Sequence, residues 1–589
     1  MAENILVTDV LVIGGGGAGF RSAIGAREKG ATTILLSKGP LARCGATPMA
    51  GADFTLDGSS LNKTGYKGDT NDGYEKVFND IVTQGFYLNN QKLVDQYIRM
   101  APQRLKELLD WGIQIKYSDE RAVVTTGIGI MDALVKRAKS IGVEMLEDVM
   151  VIDLITQKDR VIGALALDIK EGNFIQFKAK AVIIATGGWH KAFWPNTGMR
   201  DLSGDGIAIA LRAGAEIGNM EFITFCCNVF YEPPMWRGSL APYILGLLAG
   251  HRLTNSEGET FLDKYDPYLK KVGSCMEWNK SFISHASTKE IREGKGGPNG
   301  GIYFSRGDVS WDKIQSVCNL MFPNWKYKAL NLSEWGKKLE SNQSVEVGPA
   351  VEYFEGGIVI NERFETAIEG LFAAGECTLG VFGANRVFSA ITEMLVQGAD
   401  AGYNAAEYAT TVPITDPDQE SFKAIKESVT APLFREEGLG PAPVRRRVQE
   451  RAHKELGPIR NQAELSSFIN FLDKVYRDDF PNLAICSKSR VYNKEWLDTI
   501  EIKNMVCLLK AAAKSALFRT ESRGVHYRED YPETNNNKWL VETIIKDVNF
   551  DIDKRPVIVS DMTPPIGAWP FLDMMKMMMQ AHSDTGGQH

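Results

Sequence analysis

No two of the chain's eight cysteines stand in a C-x-x-C pair, so the sequence lacks the ligand spacings of an iron–sulfur cluster of its own. The cysteines are scattered, with only Cys226 and Cys227 adjacent, and read as buried reduced thiols of a cytoplasmic protein. There is no run of about eighteen apolar residues, so no segment is expected to span a membrane. The opening MAENILVTD is neither basic nor followed by an apolar core, and no twin arginine precedes the first strand, which argues against an export signal. A net charge of -7 gives no footprint for nucleic acid. No metal site is expected. What is present is an ordinary globular composition, 44% hydrophobic and 24% charged, over 589 residues. That length predicts roughly two to four domains.

The chain is organised around Asp9–Lys38, DVLVIGGGGAGFRSAIGAREKGATTILLSK. Val10–Ile13 is an apolar, largely β-branched run of the kind that forms a strand buried on both faces. Gly14, Gly16 and Gly19 spell G-x-G-x-x-G and lead into a helical pattern at Phe20–Lys29, and a second apolar run follows at Thr32–Leu36. Strand, helix and strand in about thirty residues give this motif the context of dinucleotide binding. Its glycines let backbone N–H groups approach a pyrophosphate at the helix N-terminus, where the macrodipole favours negative charge. Ser37 and Lys38 stand where an acidic ribose ligand would mark NAD, which leaves FAD as the better reading.

Leu41–Asp57, rich in Gly, Ala and Pro, reads as a backbone-dominated loop close to a ligand. Helical patterning is predicted over Tyr66–Trp111 and Gly127–Ala138, then a strand at Val143–Glu147. A β-meander is predicted at Val149–Thr156, Val161–Asp168 and Phe174–Phe177. Ala181–Ala185 reads as a separate buried strand ending in Thr186-Gly187-Gly188, a second flavin-fold signature. A helix opens at Asp205, and its N-terminus could face a phosphate or the flavin. The stretch from about Glu232 to Gln343 has little periodicity and reads as an insertion. Gly370–Glu376 is a third short strand capped by a carboxylate, Ala384–Ala409 is mostly helix, and Thr411–Asp418 is a linker. Glu420–Lys514 is helical in pattern and Asn549–His589 irregular. The Met-rich Trp569–Met579 suits either self-packing or the docking of a partner.

With these segments in place the chain resembles the flavoprotein family of succinate dehydrogenases, fumarate reductases, L-aspartate oxidases and adenylylsulfate reductases. The likeness rests on the A-T-G-G strand, Thr197–Ala215, Asn219-Met220-Glu221-Phe222, Asn255-Ser256-Glu257-Gly258-Glu259, Gly375-Glu376-Cys377, Gly383-Ala384-Asn385-Arg386 and Glu521-Ser522-Arg523-Gly524-Val525-His526. It implies an α/β multidomain fold, with a Rossmann-like FAD-binding domain in two parts (1–231 and 345–410), an inserted capping domain (232–344), a helical domain (419–548) and a tail (549–589). The expected cofactor contacts are Gly14, Gly16, Gly17, Ala18 and Gly19 of the turn, Ser37 and Lys38, and Cys44, Gly45, Ala46, Thr47, Ala50 and Gly51 of the loop. To these are added Val149, Ala185, Thr186, Gly187, Gly188, Asp205, Glu376, Asn385 and Arg386, with the Glu376 carboxylate on cofactor hydroxyls. Arg43–Thr47 holds no histidine to carry the flavin covalently, so the FAD is expected to be noncovalent.

The sequence departs from the family where dicarboxylates are handled. The family's histidine of F-H-P-T-G falls at Cys226, its relay glutamate near Ala249, its proton-donating arginine at or near His285, and the histidine of H-Y-x-M-G-G at Glu352. Arg386 matches one substrate arginine and suits an anion. His285 and His251 are the candidates for acid–base work, and His190 reads as packing beside the flavin. Trp189, Phe193, Trp194, Phe225, Phe230, Tyr231 and Trp236 crowd the same segments and suit a bulkier substrate. The expected activity is that of an FAD-dependent oxidoreductase acting on an anionic, non-dicarboxylate or bulkier organic substrate. It would exchange electrons with an iron–sulfur, ferredoxin-like subunit. The alternatives are a stand-alone fumarate reductase or aspartate-oxidase-like enzyme, and a flavin electron-transfer subunit without its own substrate.

Overall fold

The structure is a computed structural model that describes residues 4–265, 280–321, 333–386, 388–418 and 420–584. Residues 266–279 and 322–332 of the expected insertion, and 585–589 of the expected tail, lie outside the described residues.

Val10–Ile13 are at most 5% exposed, and they are central because strands flank Asn4–Ile13 on both sides. A seven-stranded sheet runs in the order Glu144–Glu147, Thr33–Ser37, Asn4–Ile13, Phe174–Ile184, Arg160–Asp168, Val149–Gln157, with Leu371–Ala373 also paired to Phe174–Ile184. Asn4–Ile13 is parallel to both neighbours, while the meander strands are antiparallel. The sheet therefore brings three strand ends, at Ile13, Ile184 and Ala373, to one edge. Gly14 makes that convergence possible. Its φ is +129°, and a Cβ there would lie 2.1 Å from the Ala185 carbonyl oxygen.

The helix Gly17–Glu28 is covered by the helix Ala390–Ala409. Small residues let the two backbones meet, since a Cβ on Gly402 would lie 2.2 Å from the Ser22 carbonyl oxygen. Ser389 caps the second helix by accepting from the Ile391 and Thr392 N–H groups at 3.1 and 3.2 Å.

Several departures from the sequence reading have physical causes. Phe174–Phe177 and Ala181–Ala185 belong to one strand, Phe174–Ile184, because Lys178 and Lys180 sit on its polar face. Lys180 pairs with Asp9 at 2.8 Å. The Tyr66–Trp111 pattern is broken into Tyr74–Gln84 and Gln91–Asp110 by Phe86 and Tyr87, whose φ values are 54° and 61°. The insertion is built on a sheet of Ile223–Phe230, Val345–Phe354, Ile302–Ser305 and Arg252–Thr254, which reaches beyond 232–344 because the strands entering and leaving it pair with each other. The tail, expected to be irregular, carries strands at Ile552–Pro556 and Ala568–Pro570 and a helix at Phe571–Asp584. Phe571, Met574, Met575 and Met578 are buried against the rest of the protein.

The helical region holds Glu420–Phe434, Pro441–Glu455, Gln462–Lys474 and Lys494–Phe518. Among the described residues no helix is long and apolar enough to cross a membrane.

An ion network joins the end of this region to the segment before the strand Ile223–Phe230. Arg519 binds Glu221 at 2.6 Å and Glu521 at 3.0 Å, and all three side chains are fully buried. Arg460 donates to the Glu221 carbonyl at 2.6 Å. Removing one member leaves its partners charged and buried, which costs roughly 3–5 kcal/mol. Arg519→Ala is accordingly expected to lower the unfolding free energy of the full-length chain by that amount, read from denaturant titration. A change under about 1 kcal/mol would show that the network is relaxed by water.

Candidate active site

The converging strand ends open into a cleft of ≈ 280 Å³. The N-terminus of the helix Gly17–Glu28 forms one wall, with Gly16 as its cap residue, no side-chain cap and no acidic residue in the first turn. The Gly17 N–H donates to Thr47 Oγ1 at 3.2 Å, and the helix dipole is otherwise left uncompensated at this end. Gly45 and Gly51 have no atom within 4 Å of where a Cβ would stand, so a ligand can lie close against their backbone. Thr186 Oγ1, Glu376 Oε1 and His190 Nδ1 are buried polar atoms without a hydrogen-bond partner. An anion site, an open backbone cradle and orphaned polar atoms fit a ligand that carries both pyrophosphate and hydroxyl groups.

Most of the expected cofactor residues line this cleft: Gly14, Gly16, Gly17 and Ala18 of the turn, Lys38, the loop residues Cys44–Thr47, Ala50 and Gly51, and Val149, Ala185, Thr186, Gly187, Asp205 and Glu376. Others support the wall from behind. A Cβ on Gly19 would lie 1.8 Å from the Gly14 carbonyl oxygen. Ser37 sits under Gly15 and contacts Cys44 Sγ at 3.2 Å, and burial raises the Cys44 thiol pKa. Gly188 presses on His190 and Phe354. Asn385 opens instead on a small crevice beside Met575 and Met578.

Two lining residues are engaged by protein partners. Lys38 donates to Ser203 Oγ at 2.6 Å, Asp205 Oδ2 at 2.7 Å and Glu501 Oε1 at 2.9 Å. Burial would lower its pKa, but Asp205 and Glu501 outweigh that and raise it. Asp205 also accepts from Asn504 at 2.8 Å, so the pair ties the sheet to the helix Lys494–Phe518.

The far end of the cleft is formed by the insertion and the start of Ala390–Ala409. Here Glu352, Tyr353 and Glu393 line the wall, and the cations stand behind them. Arg386 Nη1 donates to Glu393 Oε2 at 2.7 Å, and its Nε lies 3.4 Å from Glu355 Oε2. Its guanidinium lies over Phe382 at 4.7 Å and Tyr353 at 5.4 Å. Burial would lower the Arg386 pKa, but Glu393, Glu355 and Glu376 raise it instead. Lys280 Nζ lies 2.8 Å from Glu352 Oε2 and over the rings of Tyr243 and Tyr353 at 4.8 and 5.4 Å. Glu355 is pushed up to about 7 by burial and by Glu393 and Glu376, with Arg386 and Thr224 opposing. Cys226 is raised well above the usual thiol range by burial, then by Glu352 and Cys227. His190 also lines the cleft, with its Nε2 2.7 Å from the Glu352 carbonyl oxygen.

Neither candidate acid–base histidine reaches this end. His285 and Lys280 share the helix Lys280–Glu290 but stand five residues apart, about 140° around its axis. Lys280 therefore faces Glu352 while His285 packs on Tyr527 at 4.8 Å and Phe571 at 5.7 Å. Burial, then Arg460, pushes His285 down to about 3. His251 stacks on Phe304 at 5.0 Å, and burial pushes it down to about 4. The sequence reading missed Lys280, Glu355 and Glu393. Lys280 could have been found by turning back along the helix from His285. The other two carry no spacing signal, because their role depends on which side chains face Arg386. The aromatic cluster is core packing in part, with Trp189 stacked on Phe354 at 4.3 Å, but Trp194 is 45% exposed. Among the described residues no group of His, Cys, Asp and Glu could hold a metal ion.

Comparison with known proteins agrees with this architecture. Residues 9–390 match a family described as FAD binding domain, and 445–569 match one described as fumarate reductase flavoprotein C-term. The chain is 29% identical to one of the subunits of the fumarate reductase (CoM/CoB) of Methanothermobacter marburgensis, over 91% of this chain and 96% of that protein. It is 32% identical to an uncharacterized FAD-dependent oxidoreductase of Methanocaldococcus jannaschii, over 92% of this chain and 96% of that one. Its fold matches Mycobacterium smegmatis Sdh1, solved in complex with UQ1, with a TM-score of 0.82 and 27% identity over 95% of this chain and 96% of that one.

The Glu355 carboxyl has a pH consequence. Its folded pKa of about 7 lies above the usual 4.5, so between those values the folded chain holds a proton that the unfolded chain has released. Stability from this group is therefore lost as pH rises from about 4.5 through 7. Glu355→Gln should remove that slope, so that its melting temperature gains on the wild type between pH 5 and pH 8. A constant difference across that range would place the charge elsewhere.

Proposed function

The chain belongs to the FAD-dependent flavoprotein family of succinate dehydrogenase and fumarate reductase subunits, and from that premise we propose that it is the substrate-handling flavoprotein of a larger electron-transfer assembly. Its cofactor is FAD. When bound, FAD supplies two-electron exchange with an organic substrate and one-electron exchange with a partner. The N–H groups of Gly16 and Ala18 would take the pyrophosphate and Glu376 Oε1 the hydroxyl groups, while the loop Cys44–Gly51 would lie against the cofactor, held noncovalently for want of a histidine.

The observation that carries the rest is the ion-paired end of the cleft. Glu352 faces the cleft and Lys280 stands 2.8 Å behind its carboxylate. In this reading Glu352 moves a proton to or from the substrate, and Lys280 Nζ holds its charge in place and exchanges that proton. The proton-handling expected of His285 and His251 passes to this pair. Arg386 acts through Glu393, holding it at 2.7 Å as the opposite wall. The Tyr353 ring on this wall suits a substrate bulkier than a four-carbon diacid. A ferredoxin-like iron–sulfur subunit is the proposed electron partner, since no C-x-x-C pair in this chain supplies a cluster.

Glu352→Gln and Lys280→Met are each expected to slow anaerobic flavin reduction by substrate at least a hundredfold, with FAD content unchanged. Acid precipitation should release all of the FAD into the supernatant, and the chain should copurify with an iron–sulfur subunit. Reduction at near wild-type rate in both variants would remove the proton pair from the reaction. A flavin bleached by reduced ferredoxin but by no compound of a substrate panel would favour the carrier reading instead.

A further inference from the structure

The far end of the cleft has an inverted charge order. A site that holds a small dianion presents cations to it, backed by acids. Here Glu352 and Glu393 line the cleft, and among the described residues the cations paired with them are Lys280 at 2.8 Å and Arg386 at 2.7 Å, neither of which lines it. Glu355 takes a second edge of the same guanidinium at 3.4 Å. Two cations thus meet three carboxyl groups, and all five side chains are at most 6% exposed. A dianion placed there would add two negative charges where little water is present to screen them, next to carboxylates rather than ammonium or guanidinium groups.

We propose that Glu352 and Glu393 determine the specificity of this site, excluding small dicarboxylates and selecting a substrate that presents a neutral or cationic group to the far end of the cleft. The inference rests on the FAD-enzyme reading above and turns against the anionic substrate expected from the sequence. Tyr353 completes the arrangement. Its ring lies 5.4 Å from Lys280 Nζ and 5.4 Å from the Arg386 guanidinium carbon, so the wall between the two carboxylates is aromatic and already accommodates cations. A cationic substrate group would find the same partners that these two residues use.

Three probes of one skeleton separate the charge from the shape: 1,3-diaminopropane, malonamide and malonate, each titrated into the FAD-loaded full-length chain and followed by the flavin visible difference spectrum. Flavin content is measured first, because a chain without FAD would count against the cofactor reading and not against this one. The wild type should respond to diaminopropane or malonamide at concentrations at least tenfold below those needed for malonate. Glu352→Gln removes the carboxylate paired with Lys280 and Glu393→Gln removes the nearer of the two on Arg386, so each should strengthen malonate binding at least tenfold, and the double variant more. Glu352→Gln and Glu393→Gln stand on different segments, so the failure of one to fold leaves the other to decide. Wild-type binding of malonate tighter than of the other two probes would overturn the proposal, as would flavin-loaded variants that gain no malonate affinity.

Discussion

The whole molecule depends on one close approach, where the turn after Ile13 passes the end of the neighbouring strand. Gly14 lies so near Ala185 that a side chain there would overlap the Ala185 carbonyl oxygen, at 2.1 Å. That approach brings the first helix's N-terminus to the same edge as Thr186-Gly187 and Glu376, which end two other strands of the sheet. The helix is held there by Ala390–Ala409, whose glycines remove the side chains that would separate the two backbones. An uncapped helix end, with no acid in its first turn, is poor for folding by itself. Its retention at a cleft is understandable as an anion site whose stabilisation arrives with the ligand.

The helix Ala390–Ala409 also links the two ends of the cleft. Its N-terminal turn presents Glu393 to the cleft, and the loop before it supplies Arg386. The opposite wall comes from the insertion, through Glu352 and Tyr353 on Val345–Phe354 and Lys280 on its helix. That strand pairs with Ile223–Phe230, whose approach is fixed by Glu221 and the buried Arg519. The motifs Asn219–Phe222 and Glu521–His526 thus meet at one network, with Arg523 donating to Glu521 at 2.8 Å. A change deep in the helical region can therefore reach the cleft through the position of the strand that carries Glu352.

Those parts of the fold set by backbone requirements were legible in the sequence. The glycine turn, the Thr186-Gly187-Gly188 strand end and the Gly375-Glu376 strand end each need particular residues at particular spacings, and all three border the cleft. Alternation was less informative where lysines occupy the polar face of a central strand, and Phe174–Ile184 was divided for that reason. The acid–base assignment was harder. Alignment by motif places a residue on an element but not on a face of it, and a few positions on a helix are enough to turn His285 toward Tyr527 instead of Glu352. The pairing of Arg386 with Glu355 was not legible, because the two stand on separate segments of the chain and only the fold brings them to 3.4 Å.

The motif that carries Arg386 does not reveal its partners, because Glu355 reaches the guanidinium from another segment. Burying an arginine is costly unless its donors are satisfied, and Glu393 and Glu355 stabilise the cation where it stands. The same holds for Lys280, whose ammonium rests on Glu352 and on two tyrosine rings. The packing, the cofactor cradle and the arginine of the motif can thus all be recognised in the sequence while the pairing of the buried cations is not, and such pairings have to be read from the folded structure.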